Sequence, residues 1–168
     1  MKNPTRHKNK EADYFLSKMN EFFYDDAIFA YNLTAFLSAA RSITWYMQKQ
    51  YKHQKGFDEW YRQKQKEMSD DPELQYCRHA RNEDLKTESV PTVATRIKKS
   101  CIGVSIAENG TPETEQVKKA EIRPPTKSNP ETVRRFFQKF PDVDVREFCE
   151  EQLIKLTKIV KECEDLFL

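Results

Sequence analysis

The chain has 168 residues, a length that fits one domain with a sizeable core. It is 33% charged and 38% hydrophobic, but eleven Phe, seven Tyr and two Trp can each bury a large area, so a folded core is credible. Three glycines are too few for a loop-rich or all-β fold.

The N-terminal stretch "MKNPTRHKNKEADYF" is charged and lacks the apolar run of a signal peptide. No run of about 18 apolar residues is present, so no membrane span is expected. Cys77, Cys101, Cys149 and Cys163 show no CxxC pairing, and three of them fall within helical apolar patterns. They read as reduced thiols acting as small hydrophobes in a cytoplasmic protein. His7, His53 and His79 are scattered and never pair at ligand spacing, so neither a metal nor another cofactor is expected.

In chain order, residues 10–24 place Ala12, Phe15, Leu16, Met19, Phe22 and Phe23 on one helical stripe. Asp25-Asp26 interrupts it. Over 27–54, Phe29, Leu33, Phe36, Ala40, Ile43 and Met47 step by four and three, the seam of a bundle helix, with Gly56 as a C-terminal stop. A third helix over 57–68 carries Phe57, Trp60, Tyr61 and Met68 inward, with Asp58 and Glu59 in its first turn. Asp71 followed by Pro72 starts a fourth helix over 72–87.

After Pro91 the texture changes. Ile102, Val104 and Ile106 alternate with small residues, and Asn109-Gly110 is a turn signal. The reading is a β-hairpin with strands near 95–107 and 115–123, and "TVRRFFQKF" as either a third strand or a short helix. The last helix opens at Asp144, with Glu147 placed to complete a capping box. Cys149, Leu153, Leu156, Val160, Cys163 and Phe167 repeat the four-three step. The expected fold is a mainly α, up-and-down four- to five-helix bundle. It forms a single domain over 1–168, with a small antiparallel β-hairpin insertion at about 92–140 before the last helix.

Within the fourth helix, "CRHARNEDLKTES" carries Arg81-Asn82. This dipeptide, the order of elements, and "TAFLSAARSITWYMQKQYKHQKGFDEWY" resemble the HEPN-like helical domains of bacteria and archaea. The resemblance covers residues 10–90 and the final helix. It implies a helix-paired homodimer. Many such domains are metal-independent ribonucleases of toxin and defence systems; others are non-catalytic binding or partner domains. The active motif is Arg, a polar residue, then His after four to six intervening residues. The histidine moves the proton of the 2′-hydroxyl, and the arginine stabilises charge growing on phosphorus. Here Arg81 and Asn82 match, but the histidine positions hold Lys86, Thr87 and Glu88. An exposed lysine titrates near 10. His79 precedes the arginine and lies about 200° around the helix from it. A catalytic set would be Arg81, Asn82 and Lys86, with Lys86 as an unconventional base.

Arg81 falls with Leu74, Cys77 and Leu85 on the apolar face, where an arginine is costly unless paired. It reads as a buried ion pair or hydrogen-bond network with another helix, against a ligand-binding role. Arg78, Asn82 and Lys86 form a column at i, i+4, i+8, either a solvated face or a phosphate-binding strip. Arg41, beside Ser38, Ala39 and Ala40, is placed to meet Glu83 or Asp84, or to line one anion site with Arg81. Residues 94–139 carry ten Lys/Arg against five Asp/Glu. Lys98, Lys99, Arg134 and Arg135, with Phe136 and Phe137, have the ingredients for single-stranded nucleic acid, or else form an ordinary soluble strand face. The leading functional expectation is a non-catalytic binding or interaction protein with RNA or another protein as partner. A ribonuclease using Arg81 and a purely structural partner protein are the competing readings.

Overall fold

The four-three apolar stripe of the second helix becomes the centre of the protein. The computed structural model describes residues 3–84, 92–97 and 132–168. Among them are five helices and two strands in the order α1 (Pro4–Glu21), α2 (Asp26–Tyr51), α3 (Phe57–Asp70), α4 (Pro72–Asp84), β1 (Thr92–Ile97), β2 (Thr132–Phe137) and α5 (Val145–Phe167). The fold is mainly helical, with a small antiparallel strand pair before the last helix. The chain divides into two compact units, Met1–Val93 with Arg135–Leu168, and Ala94–Arg134.

Phe29, Leu33, Phe36, Ala40, Ile43 and Met47 of α2 are all buried, as their spacing requires. α1 packs along α2 as an antiparallel partner, held at the open end by Thr5 Oγ1 donating to Gln50 Oε1 at 2.8 Å. Asp25 interrupts the chain and then caps α2, accepting from the Ile28 N–H. α1 starts six residues earlier than its apolar stripe predicts. Asn3 caps it, accepting from the Arg6 N–H, and Pro4 takes the first helical position, where no N–H is needed. This extra turn reaches α5: Arg6 forks onto Glu164, Nε to Oε1 at 2.7 Å and the second nitrogen to Oε2 at 2.8 Å.

Gly56 adopts φ of 86°, the left-handed conformation that glycine tolerates. It stands directly before α3, five residues past the end of α2, and so begins the third helix instead of closing the second. Asp71 accepts from the N–H groups of Glu73 and Leu74 and opens α4 as expected. Asp144 caps α5, but Arg146 completes that cap, its Nε donating to the same carboxylate at 2.8 Å, where Glu147 was expected. The predicted second strand (115–123), the Asn109-Gly110 turn and Ile102, Val104 and Ile106 lie outside the described residues. β1 begins at Thr92, and its partner is "TVRRFF", which settles the choice between strand and helix there.

β2 enters the helical core through Phe137 and Arg135. Phe137 meets Tyr76, Phe140 and Phe148 in a cluster of edge-on and tilted rings. Arg135 is 3% exposed. Its Nε donates to the Phe23 carbonyl at 3.0 Å, its outer nitrogen pairs with Asp26, and its guanidinium lies 4.6 Å from the Phe29 ring centre. Arg146 covers Phe23 at 3.5 Å. Replacing Arg135 by Ala removes a charge-assisted hydrogen bond and a desolvated cation–π contact, and the expected loss is on the order of 2–4 kcal/mol. Urea unfolding reads it. Asp26→Asn should cost less, because the Asp26 side chain is largely exposed and asparagine keeps an oxygen that can accept from the buried Arg135 guanidinium.

Candidate binding site: an open cavity bordered by two arginines

Where α2, α3, α4 and α5 converge, the side chains do not close completely. An open cavity of about 360 Å³ remains. Leu37 and Ala40 of α2, Met68 of α3, Leu74 of α4 and Leu156 of α5 supply apolar walls. Thr44, Tyr61, Gln65, Ser69 and Gln75 add neutral polar groups, and Arg41 and Arg78 supply the charge. Among the described residues no carboxylate and no histidine line it.

The residues arrive there for local reasons. Tyr61, Gln65 and Ser69 fall at i, i+4, i+8, one column of α3. Tyr61 is buried, and its hydroxyl donates to the Thr44 carbonyl at 3.3 Å. Burial pushes the Tyr61 pKa up, against that hydrogen bond and the nearby Arg41 charge, so the phenol stays neutral at pH 7. The Arg41 guanidinium donates only to Thr44 Oγ1, at 3.1 Å. Arg78 is exposed, and its side chain makes no hydrogen bond or ion pair among the described residues. Two guanidinium groups from two helices thus border one cavity without a counter-charge among the described residues. Cys77 also lines it, and burial, with Asp71 and Glu73 nearby, pushes its thiol up to about 12. It is a protonated wall, not a nucleophile.

α4 is held in register by Lys155 of α5. Its Nζ meets Asp71 Oδ2 and Glu73 Oε2, both at 2.7 Å, and Gln152 Nε2 reaches the same Glu73 oxygen at 2.7 Å. The Lys155 and Gln152 bonds hold the Glu73 carboxyl below its usual range. Burial, the largest single influence on Asp71, raises its pKa, but Lys155 and the Leu74 and Glu73 N–H groups together bring it below the ordinary value.

The other sequence-derived residues separate into distinct settings. Arg41 shares its cavity with Arg78, not with Arg81 as anticipated. Arg81 is half-buried, and its Nε has no partner. One terminal nitrogen reaches only the neighbouring Asn82 side chain, at 3.3 Å. The interhelical ion pair expected for Arg81 does not occur among the described residues. Asn82 is exposed. Lys86, Lys98 and Lys99, and the Glu83 and Asp84 side chains expected near Arg41, lie outside what is described. Arg134 is exposed, whereas Arg135 spends its donors inside the fold. The sequence reading passed over Tyr61 as core and missed Gln65, Ser69 and Gln75. The polar i, i+4, i+8 column beside an inward Tyr was the available signal. Among the described residues no three His, Cys, Asp or Glu side chains group as metal ligands, and no helix is long and apolar enough to cross a membrane.

Fold and site define a mainly helical protein with a cationic, partly apolar cavity. Residues 5–127 match the model of the family described as Bacteriophage lambda protein ea47, and the chain belongs to that family. This overturns the HEPN resemblance: the matching family is not a HEPN family. A two-residue motif without its histidine, on helices whose four-three period any bundle shares, could not discriminate between them. No curated protein and no solved structure matches the chain.

The Lys155 bridge carries a pH signature. Both carboxylates titrate below their unfolded values, so their contribution is present above about pH 4 and is lost as pH falls through the lower folded values. Lys155→Met should therefore destabilise the protein at pH 7, with the difference from wild type shrinking towards pH 3. Urea midpoints of the two proteins across that range measure it.

Proposed function

We propose that this protein is a non-catalytic binding protein, and that the cavity between α2, α3, α4 and α5 takes a ligand with an apolar body and an anionic head. The observation that carries this reading is the pair Arg41 and Arg78, two cations bordering a cavity in whose lining no carboxylate stands among the described residues. An isolated positive rim attracts anions, and its planar forks suit carboxylate or phosphate. The volume falls within the range of about 300–1,000 Å³ typical of small-molecule pockets. Binding without chemistry is supported by the lining: the thiol is protonated, the tyrosine is neutral, and among the described residues no histidine or carboxylate stands beside them as general base.

The test is calorimetric titration with decanoate, decyl phosphate, decanol, inorganic phosphate and a mixed-sequence RNA oligonucleotide. The two amphiphilic anions should bind more tightly than decanol or inorganic phosphate. Arg41→Gln or Arg78→Gln should each weaken them by about tenfold or more, the worth of a charge-assisted hydrogen bond. Equal binding of decanol would show that the arginines do not read the head group and would defeat the proposal. Tight, salt-sensitive RNA binding that survives both substitutions would favour the RNA-binding reading, on a surface other than this one. Cleavage of that RNA without metal, abolished by Arg81→Ala in folded protein, would favour the ribonuclease.

A further inference from the structure

α2 buries one face in the core and leaves the opposite face to solvent. On that outer face Tyr31 is 72% and Trp45 52% exposed, large values for aromatics inside a helix. They are fourteen residues apart, so they stand within about 40° of each other around the axis and about 21 Å apart along it. Between them the stripe carries Thr34, Ser38 and Ser42, with Ala35 along one edge and the exposed Arg41 along the other. Small side chains let a second backbone come close. The Ser42 hydroxyl is already satisfied, donating to the Ser38 carbonyl at 2.8 Å, so covering it strands no donor.

The two ends of the stripe differ in shape and charge. At its N-terminal end Tyr24, Ile28 and Tyr31 protrude, with the acidic Asp25 beside them. At its C-terminal end lies an open depression of about 560 Å³ bordered by Trp45, Gln48, Lys49, Lys52, His53 and Asp58. One end is a knob with an acid, and the other is a largely basic hollow. Ser38 is the midpoint of Tyr31 and Trp45, of Ile28 and Gln48, and of Tyr24 and Lys52.

We infer that a second copy of this chain docks antiparallel on the outer face of α2, with a two-fold axis passing at Ser38. In that register each copy's Tyr24–Ile28–Tyr31 knob enters the other's Trp45–Lys49–Lys52 hollow. The Asp25 end of each helix meets the lysine end of its mate. A parallel pairing would set Lys49 and Lys52 against themselves, which costs energy and leaves both hollows open. The arrangement is isologous and closes at two copies. It is independent of the proposed ligand.

The experiment uses the full chain. Sedimentation equilibrium at tens of micromolar should report a dimer for the wild type. Trp45→Glu and Tyr31→Glu, both at exposed positions and so without effect on helical circular dichroism, should each weaken it by about thirtyfold or more, the effect of losing an interface hot spot. In a Cys101→Ser background, Ser38→Cys should form an intermolecular disulfide on mild oxidation, because residues on the axis approach within the roughly 7 Å that a disulfide spans. Arg62→Cys, exposed on α3, should not. A monomeric wild type overturns the inference. So does a dimer that survives both glutamates, or one that they disrupt but that Ser38→Cys fails to cross-link.

Discussion

The constraint on which the helical core depends is the burial of one face of α2. Its 26 residues carry ten buried side chains, more than any other element. No single neighbour can cover that length. α1 covers it as an antiparallel partner, α4 and α5 cover the rest, and Tyr61 ties α3 back to the Thr44 carbonyl. Each buried large side chain contributes about 1.5–3 kcal/mol relative to exposure, so the arrangement that covers this face outweighs local preferences elsewhere. The cavity follows from the same geometry. Four helices of unequal length meet beside Ala40, and a small residue there leaves room that Leu37, Met68 and Leu156 do not fill.

Arginine serves two opposite purposes in this protein. Arg135 is buried between Phe29 and Phe23, satisfied by a carbonyl and by Asp26, and it fastens β2 to the α1–α2 corner across 109 to 112 residues of sequence. Arg41 and Arg78 keep their charge at the surface, with no ion pair to a carboxylate among the described residues. The first is a structural cation whose cost of desolvation is offset by ring faces and hydrogen bonds. The other two retain the capacity to pair with something from outside. Charge counts along the chain do not separate these roles, so the basic excess of residues 94–139 counts the buried Arg135 and the exposed Arg134 alike.

Arg81 shows the limit of a short motif. Its position on the fourth helix and its half-buried state agree with the period of Leu74 and Cys77. The period says which face the side chain takes; it does not say what stands opposite. A guanidinium flanked by Asn, with the histidine absent, is compatible with many helices, and the family match over residues 5–127 belongs to a different group from the one the dipeptide resembles.

The sequence by itself determined the five helices, their buried stripes and most of their starts, because 3.6-residue periodicity and capping chemistry are local and are written within a few residues of where they act. It also marked the strand-forming texture before the last helix. Tertiary structure alone decided that "TVRRFF" is the strand paired with Thr92–Ile97, that Arg135 turns inward, and that Arg41 is joined at the cavity by Arg78 and not by Arg81. These outcomes depend on which helix faces which and at what height. Contacts between residues far apart in sequence fix those relations, and no window of neighbouring residues contains them.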